Sequence, residues 1–175
     1  NIFKEKWDYN KAEGYFVSSF DWSNVTKMIV QVKGLEKKEA CKIEDELIAK
    51  LMENGYRVPS RSNVEAIIAE QNFNTSMLSA QALTSLGKLS NTNTMMIVWM
   101  GEINKIGDDS ITVMNKKQYH YGSTCAIRVV DLEKSNIIWS GSLFADGWYT
   151  GSDSKKLYNE LTTRLVASGL IPKKN

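Results

Sequence analysis

The chain has one histidine, two cysteines and two prolines among 175 residues. Each shortage removes a class of function. With His120 alone, a zinc site of the usual Cys/His kind is effectively excluded. Any Ser-His-Asp or Cys-His machinery would have a single candidate base. Charge of one sign is also missing: 22 basic against 20 acidic residues give a net charge of +2. That balance supplies no electrostatic reason to expect a nucleic-acid partner. Long apolar runs are absent too. The longest, Met95 to Met100, falls far short of the roughly 20 residues a membrane helix needs and suits a buried strand. The two cysteines, Cys41 and Cys125, leave two readings open. A disulfide between them would close a long loop and stabilise the fold by about 4 kcal/mol in the chain-entropy model. Alternatively, each is a small buried hydrophobe.

What is present is an ordinary globular balance, 42% hydrophobic and 24% charged, in a length that suits one domain. Residues 1–26 mix polar residues with Trp7, Tyr9, Tyr15, Phe16, Phe20 and Trp22 without a period, and read as an arm or tether laid across the domain. The domain proper spans 27–172, and 173–175 form a tail. Lys27 to Val32 is a β-branched strand. A helix over 35–54 carries Ile43, Leu47, Ile48, Leu51 and Met52 on one stripe. Asn54-Gly55 stops it, because glycine takes the left-handed conformation freely. Tyr56 to Val58 reads as a short strand, at a sheet edge because Pro59 follows. Ser62 and Glu65 have capping-box spacing for a short helix. A further helix covers 77–89.

A strand over 94–106, a hairpin turn at "GDDS" (107–110) and an extended stretch over 111–131 follow, the last weakest around 115–122. Asn136 to Phe144 is the final strand and 154–168 the final helix. The order is β-α-β-α-α-β-β-β-α. It predicts an α+β fold with α/β-like features: a single mixed sheet of about five strands, parallel in its first half and antiparallel afterwards, with helices packed on it.

Chemistry is scarce. Gly87-Lys88 invites comparison with a phosphate loop, but that motif needs glycine five residues earlier, where Ala82 stands. The pair also follows a helical stripe, so it reads as a helix-ending signal. His120, in "QYHYG", reads as an exposed hairpin histidine. Glu44, Asp45 and Glu46 read as a solvated helix face. The aromatics are more suggestive. Tyr119 and Tyr121 flank His120, with alternation placing the tyrosines on one face and the histidine on the other. Trp148 and Tyr149 fall in the loop after the last strand. These five residues are the candidate partner-binding patch.

Four segments carry a resemblance: "KMIVQVKG" (27–34), "ELIAKLMENGYRVPSRSNVEAIIAEQNF" (46–73), "ALTSLGKLSNTNTMMIVWMGEI" (82–103) and "AIRVVDLEKSNIIWSGSL" (126–143). In order and spacing they resemble the CsgG-type domain of bacterial envelope lipoproteins. That family includes the curli secretion lipoprotein, the peptidoglycan-synthase activator LpoB and the N-terminal domain of TolB. The family usually has glycine at the turn where this chain has Ser135, so Ser135 or Asn136 must supply the left-handed conformation.

The resemblance implies a non-enzymatic periplasmic domain that binds or regulates an envelope assembly through a protein partner, without cofactor or metal. It implies an outer-membrane anchor on a lipidated segment ahead of residue 1, and an oxidising compartment around Cys41 and Cys125. Two alternatives stand beside it. One is an oligomeric secretion-channel component of the curli-export type; against it, 105–123 lacks the clean apolar alternation of a barrel hairpin. The other is a small-ligand-binding protein.

Overall fold

The computed structural model describes residues 2–6, 13–17, 22–71, 79–167 and 174. Seven strands form one sheet in the order β1-β2-β7-β6-β4-β3, with β5 paired to the outer part of β6. The strands are β1 (Ile2–Lys6), β2 (Glu13–Val17), β3 (Met28–Lys33), β4 (Thr94–Met100), β5 (Asn104–Val113), β6 (Lys116–Asp131) and β7 (Asn136–Tyr149). The helices are α1 (Lys37–Glu53), α2 (Arg61–Glu70), α3 (Ala80–Ser90) and α4 (Lys156–Ala167).

The class is as expected. The crossover through α1, α2 and α3 returns β4 parallel to β3, and the later strands are antiparallel. Five strands come from the region after residue 27; two more, β1 and β2, come from the first 26 residues. β2 pairs with β7 through Glu13↔Ser142 to Phe16↔Trp139, so this segment extends the sheet by backbone bonding. The side chains of Trp7, Tyr9, Tyr15, Phe16, Phe20 and Trp22 lie outside the described residues, as do Met77 and Leu78 at the expected start of α3.

Alternation along the strands divides the core in two. Val30, Val32, Met96, Val98, Ile127 and Val129 point to one face, where α1 and α4 cover them with Ile43, Leu47, Leu51, Leu157, Leu161 and Leu165. Ile29 and Met95 point to the other face, under Val64 of α2 and Leu86 of α3. Each fully buried aliphatic side chain stabilises by about 1.5–3 kcal/mol, so the larger cluster carries most of the packing energy.

Several local readings are corrected. Tyr56–Val58 is not a strand: only Arg57 bridges, in parallel, to Lys27, because Pro59 has no N–H to continue the ladder. The cap of α2 is Ser60, whose hydroxyl accepts from the Asn63 N–H at 3.2 Å; Ser62 lies within the first turn. Gly87-Lys88 does not end α3. Gly87 sits inside the helix, where a Cβ would lie 2.9 Å from Leu132 Cβ and 3.0 Å from the Thr92 carbonyl. The helix ends at Asn91, in the left-handed region at φ 50°. Ser135, at φ 58°, makes the left-handed turn before β7. Cys41 and Cys125 are both free thiols. Cys125 lies in the core opposite Met100, and burial pushes its pKa up to about 12.

The largest revision concerns the β5–β6 hairpin. "GDDS" is not its turn. The chain reverses at Met114-Asn115, whose φ values of 49° and 64° match the two-residue turn that follows strand twist. "GDDS" instead falls in a bulge: Lys105 pairs with Tyr121 and Ser110 with Tyr119, so residues 106–109 stand opposite His120 alone. β6 then runs without interruption through the stretch expected to be weak.

A candidate docking face on the outer sheet

Strand register brings the five predicted patch residues together. Tyr119 pairs with Tyr149, His120 with Trp148, and Tyr121 with Gly147. Trp148 and Tyr149 are therefore the last residues of β7 rather than part of a loop. Alternation separates Tyr119 and Tyr121 from His120 as expected, and divides Trp148 from Tyr149 in the same way. Tyr121 and Tyr149 pack against the larger core cluster, whereas His120 and Trp148 share the opposite face.

On the helix side the tyrosines are mainly structural. Burial, helped by Glu160 and Asp146 against Arg164, raises the Tyr149 phenol above its ordinary value. The Lys105 ammonium lies 3.9 Å from the Tyr119 ring centroid and Lys117 lies 5.8 Å from it, so two cations gather over one ring.

On the open face, His120 is half-buried rather than free. Its Nε2 lies 2.8 Å from Asp146 Oδ2. The imidazole stacks on Trp148 with centroids 4.9 Å apart and planes 12° apart. A carboxylate-oriented histidine is two-thirds of a triad, so the third member decides the chemistry. The nearest serine along β6, Ser123, lies on the helix side and donates its hydroxyl to the Gly101 carbonyl. Among the described residues, no group of three or more His, Cys, Asp or Glu is placed to hold a metal. The geometry thus fixes a flat His-Trp platform, with the bulge of β5 opposite His120.

The platform is one end of an apolar stripe. Ile111 pairs with Gln118 and Val113 with Lys116, which puts both on the His120 face. A Cβ on Gly122 would lie 2.6 Å from Ile106 Cδ1 and 3.1 Å from the Phe144 ring, so these side chains meet over Gly122 on that face. Ile106, Ile111, Val113 and Trp148 are 38%, 41%, 42% and 38% exposed, and Met114 at the tip is 92% exposed. The hairpin tip passes beyond the end of β7, whose pairing with β6 stops at Tyr119.

Sequence reasoning missed Ile111, Val113 and Met114 because the turn was placed seven residues early. The available signal was Asn115, a residue that tolerates the left-handed region, between two β-branched or polar alternating runs.

No known protein family matches the chain, and no curated protein is detectably similar to it. Solved structures are similar in fold. The PelC dodecamer from Paraburkholderia phytofirmans is 13% identical over 94% of this chain and 98% of that one, with a TM-score of 0.50. Lipoprotein GNA1162 from Neisseria meningitidis is 15% identical over 81% and 99%, at 0.49. The LpoB C-terminal domain from Escherichia coli is 12% identical over 74% and 89%, at 0.48. At these identities the likeness to PelC is one of fold alone, and the two lower scores add no argument to it.

Proposed function

We propose that this chain is a non-enzymatic domain of the bacterial cell envelope that binds or regulates an assembly there, in the manner of a peptidoglycan-synthase activator. The observation that carries the reading is the apolar stripe on the open sheet face, from Met114 through Val113, Ile111 and Ile106 to Trp148. Exposed side chains of this type cost solubility unless a partner covers them. The stripe ends on a stacked aromatic pair, the residue type that anchors interfaces. The envelope location rests on the sequence resemblance, with the lipid anchor ahead of residue 1 as part of the same proposal.

The experiment is complementation in the parent organism with Ile111→Asp and Val113→Asp combined. The reading expects the envelope defect of a deletion strain to persist, while the purified variant unfolds within a few degrees of the parent. Full complementation by the variant would overturn it.

A second reading, a self-assembled ring, is favoured by β5. All ten of its residues are exposed and, among the described residues, nothing pairs with its outer edge, and the PelC structure of similar fold is a dodecamer. Light scattering of the lipidated chain in detergent separates the two readings. The ring predicts a large closed multiple of the chain mass, and the regulator a single chain or a small multiple.

A further inference from the structure

The terminal strand β3 carries a feature that the hairpin does not explain. The strand alternates which residues face outward. The Met28 N–H points outward and donates to the Arg57 carbonyl at 2.9 Å. The Val32 N–H also points outward and donates to Glu44 Oε1 at 3.0 Å. Val30 lies midway between them, so its N–H and C=O face the same way. Among the described residues, none bonds to either group, although Val30 is only 8% exposed. The Met28 C=O would be next to accept along the ladder, but the residue in place is Pro59, which has no N–H. A strand edge whose outward N–H and C=O meet no protein group is a ready template for one more strand.

The cover is a slot of about 490 Å³ between α1 and α2, a volume within the range of ligand sites. Its floor is the β3 edge. Ala40 and Ile48 line the α1 wall; Val64, Ile68 and Ala69 line the α2 wall. Gln31 also lines the slot, and its buried Oε1 has no hydrogen-bond partner. The slot is closed at one end by the Arg57–Pro59 segment and at the other by Glu44. That carboxylate stands where the carbonyl of a neighbouring strand would be. It is held there by Arg61, whose Nε–H donates to Glu44 Oε2 at 2.6 Å and whose Nη2–H donates to Asp45 Oδ1 at 2.7 Å and to the Cys41 carbonyl at 3.1 Å. Partial burial alone would lower the Arg61 pKa, but the bonds from Asp45 and Glu44 outweigh it and hold it above its ordinary value. Glu44 is therefore buried and structural, not the solvated residue its helix position suggested.

We propose that this slot receives an extended peptide, which adds to β3 as a short edge strand. The peptide carbonyl accepts from the Val30 N–H and its N–H donates to the Val30 carbonyl, the pairing mode of strand addition. From Met28 to Val32 the open edge spans about 13 Å at roughly 3.3 Å per residue, room for about three or four peptide residues. Lys37 and Glu65, paired at 3.8 Å, also line the slot; side chains of the added strand that reach Ala40 and Ile48 on one wall, or Val64, Ile68 and Ala69 on the other, meet aliphatic groups, so the recognised segment has small aliphatic residues at those positions. The side-chain Oε1 of Gln31 accepts a further N–H from the segment. This site uses none of the hairpin residues and stands whether or not the hairpin docks a partner.

The test uses the full chain, labelled with nitrogen-15, and the peptide acetyl-Val-Ala-Val-amide as probe. The Val30 and Gln31 amide resonances shift saturably, with a Kd of about 1 mM for so short a probe. The same peptide N-methylated at its internal amides binds at least about tenfold more weakly, since the loss of one such bond is worth that factor. Ala69→Trp fills the slot and abolishes the shift. The methylated probe needs no variant, so the test holds if that substitution disturbs folding. Equal binding by the methylated probe, or Val30 and Gln31 resonances that do not move at several millimolar peptide, would overturn the proposal.

Discussion

Replacing Glu44 by Ala removes the acceptor of the Val32 N–H and one of the two carboxylates on Arg61. The magnitude follows from the two parts. A hydrogen bond from a backbone N–H to a charged acceptor is worth about 1.5–3 kcal/mol. The Arg61 pair adds under about 1 kcal/mol, because the guanidinium side chain is 30% exposed and keeps Asp45. The sum is about 3 kcal/mol, or a fall in Tm of about 6–12 °C for a chain of this length. Glu44→Gln retains an oxygen for the Val32 N–H and should lose less than half as much. Both are read by thermal unfolding monitored by circular dichroism. If Glu44→Ala unfolds within about 2 °C of the parent, the carboxylate is not what satisfies the edge of β3, and the account of Glu44 as a stand-in for a neighbouring strand is wrong.

Three other outcomes are expected. Tyr149→Ala, which opens a gap beside the larger core cluster, should cost about 2 kcal/mol, whereas Met114→Ala at the exposed tip should stay within about 0.5 kcal/mol; urea titration of both separates core from surface. Gly87→Val should destabilise α3 against Leu132 and Thr92 by about 1–3 kcal/mol, also measured in urea. The Cys125 thiol stays protonated in the fold up to about pH 12, against an ordinary value near 9. The native state then binds the extra proton above pH 9, so stability present at neutral pH is lost as pH rises from 9 toward 12. At about pH 10.5 the parent should have lost about 2 kcal/mol more than Cys125→Ala, relative to pH 8.

The sequence made some of this plain and hid the rest for physical reasons. Helix stripes such as Ile43, Leu47 and Leu51 bury a face, so their period is visible without the fold. The same holds for the β-branched runs of β3 and β4 and for the Asn54-Gly55 stop. Alternation also separated His120 from Tyr119 and Tyr121 correctly. The hairpin turn was hidden because Met114 takes a left-handed conformation that methionine rarely adopts, while Gly107, the obvious turn residue, serves a bulge. Trp148 and Tyr149 looked like loop residues because β7 runs on only while β6 is beside it. Glu44 looked solvated because its burial depends on Arg61, 17 residues later, and on a strand edge that no local pattern reveals. The open Val30 edge is wholly a matter of topology, since it exists only because β3 is last in the sheet.

The central functional claim is that the open sheet face docks a protein partner. A photo-crosslinking amino acid placed at Met114 in the parent organism tests it most directly, with the same group at Glu133, exposed elsewhere on the surface, as control. The account predicts a discrete envelope-protein adduct at position 114 that disappears when Ile111 and Val113 are changed to Asp, and none at 133. An empty lane at 114, or the same adducts from both positions, would contradict it.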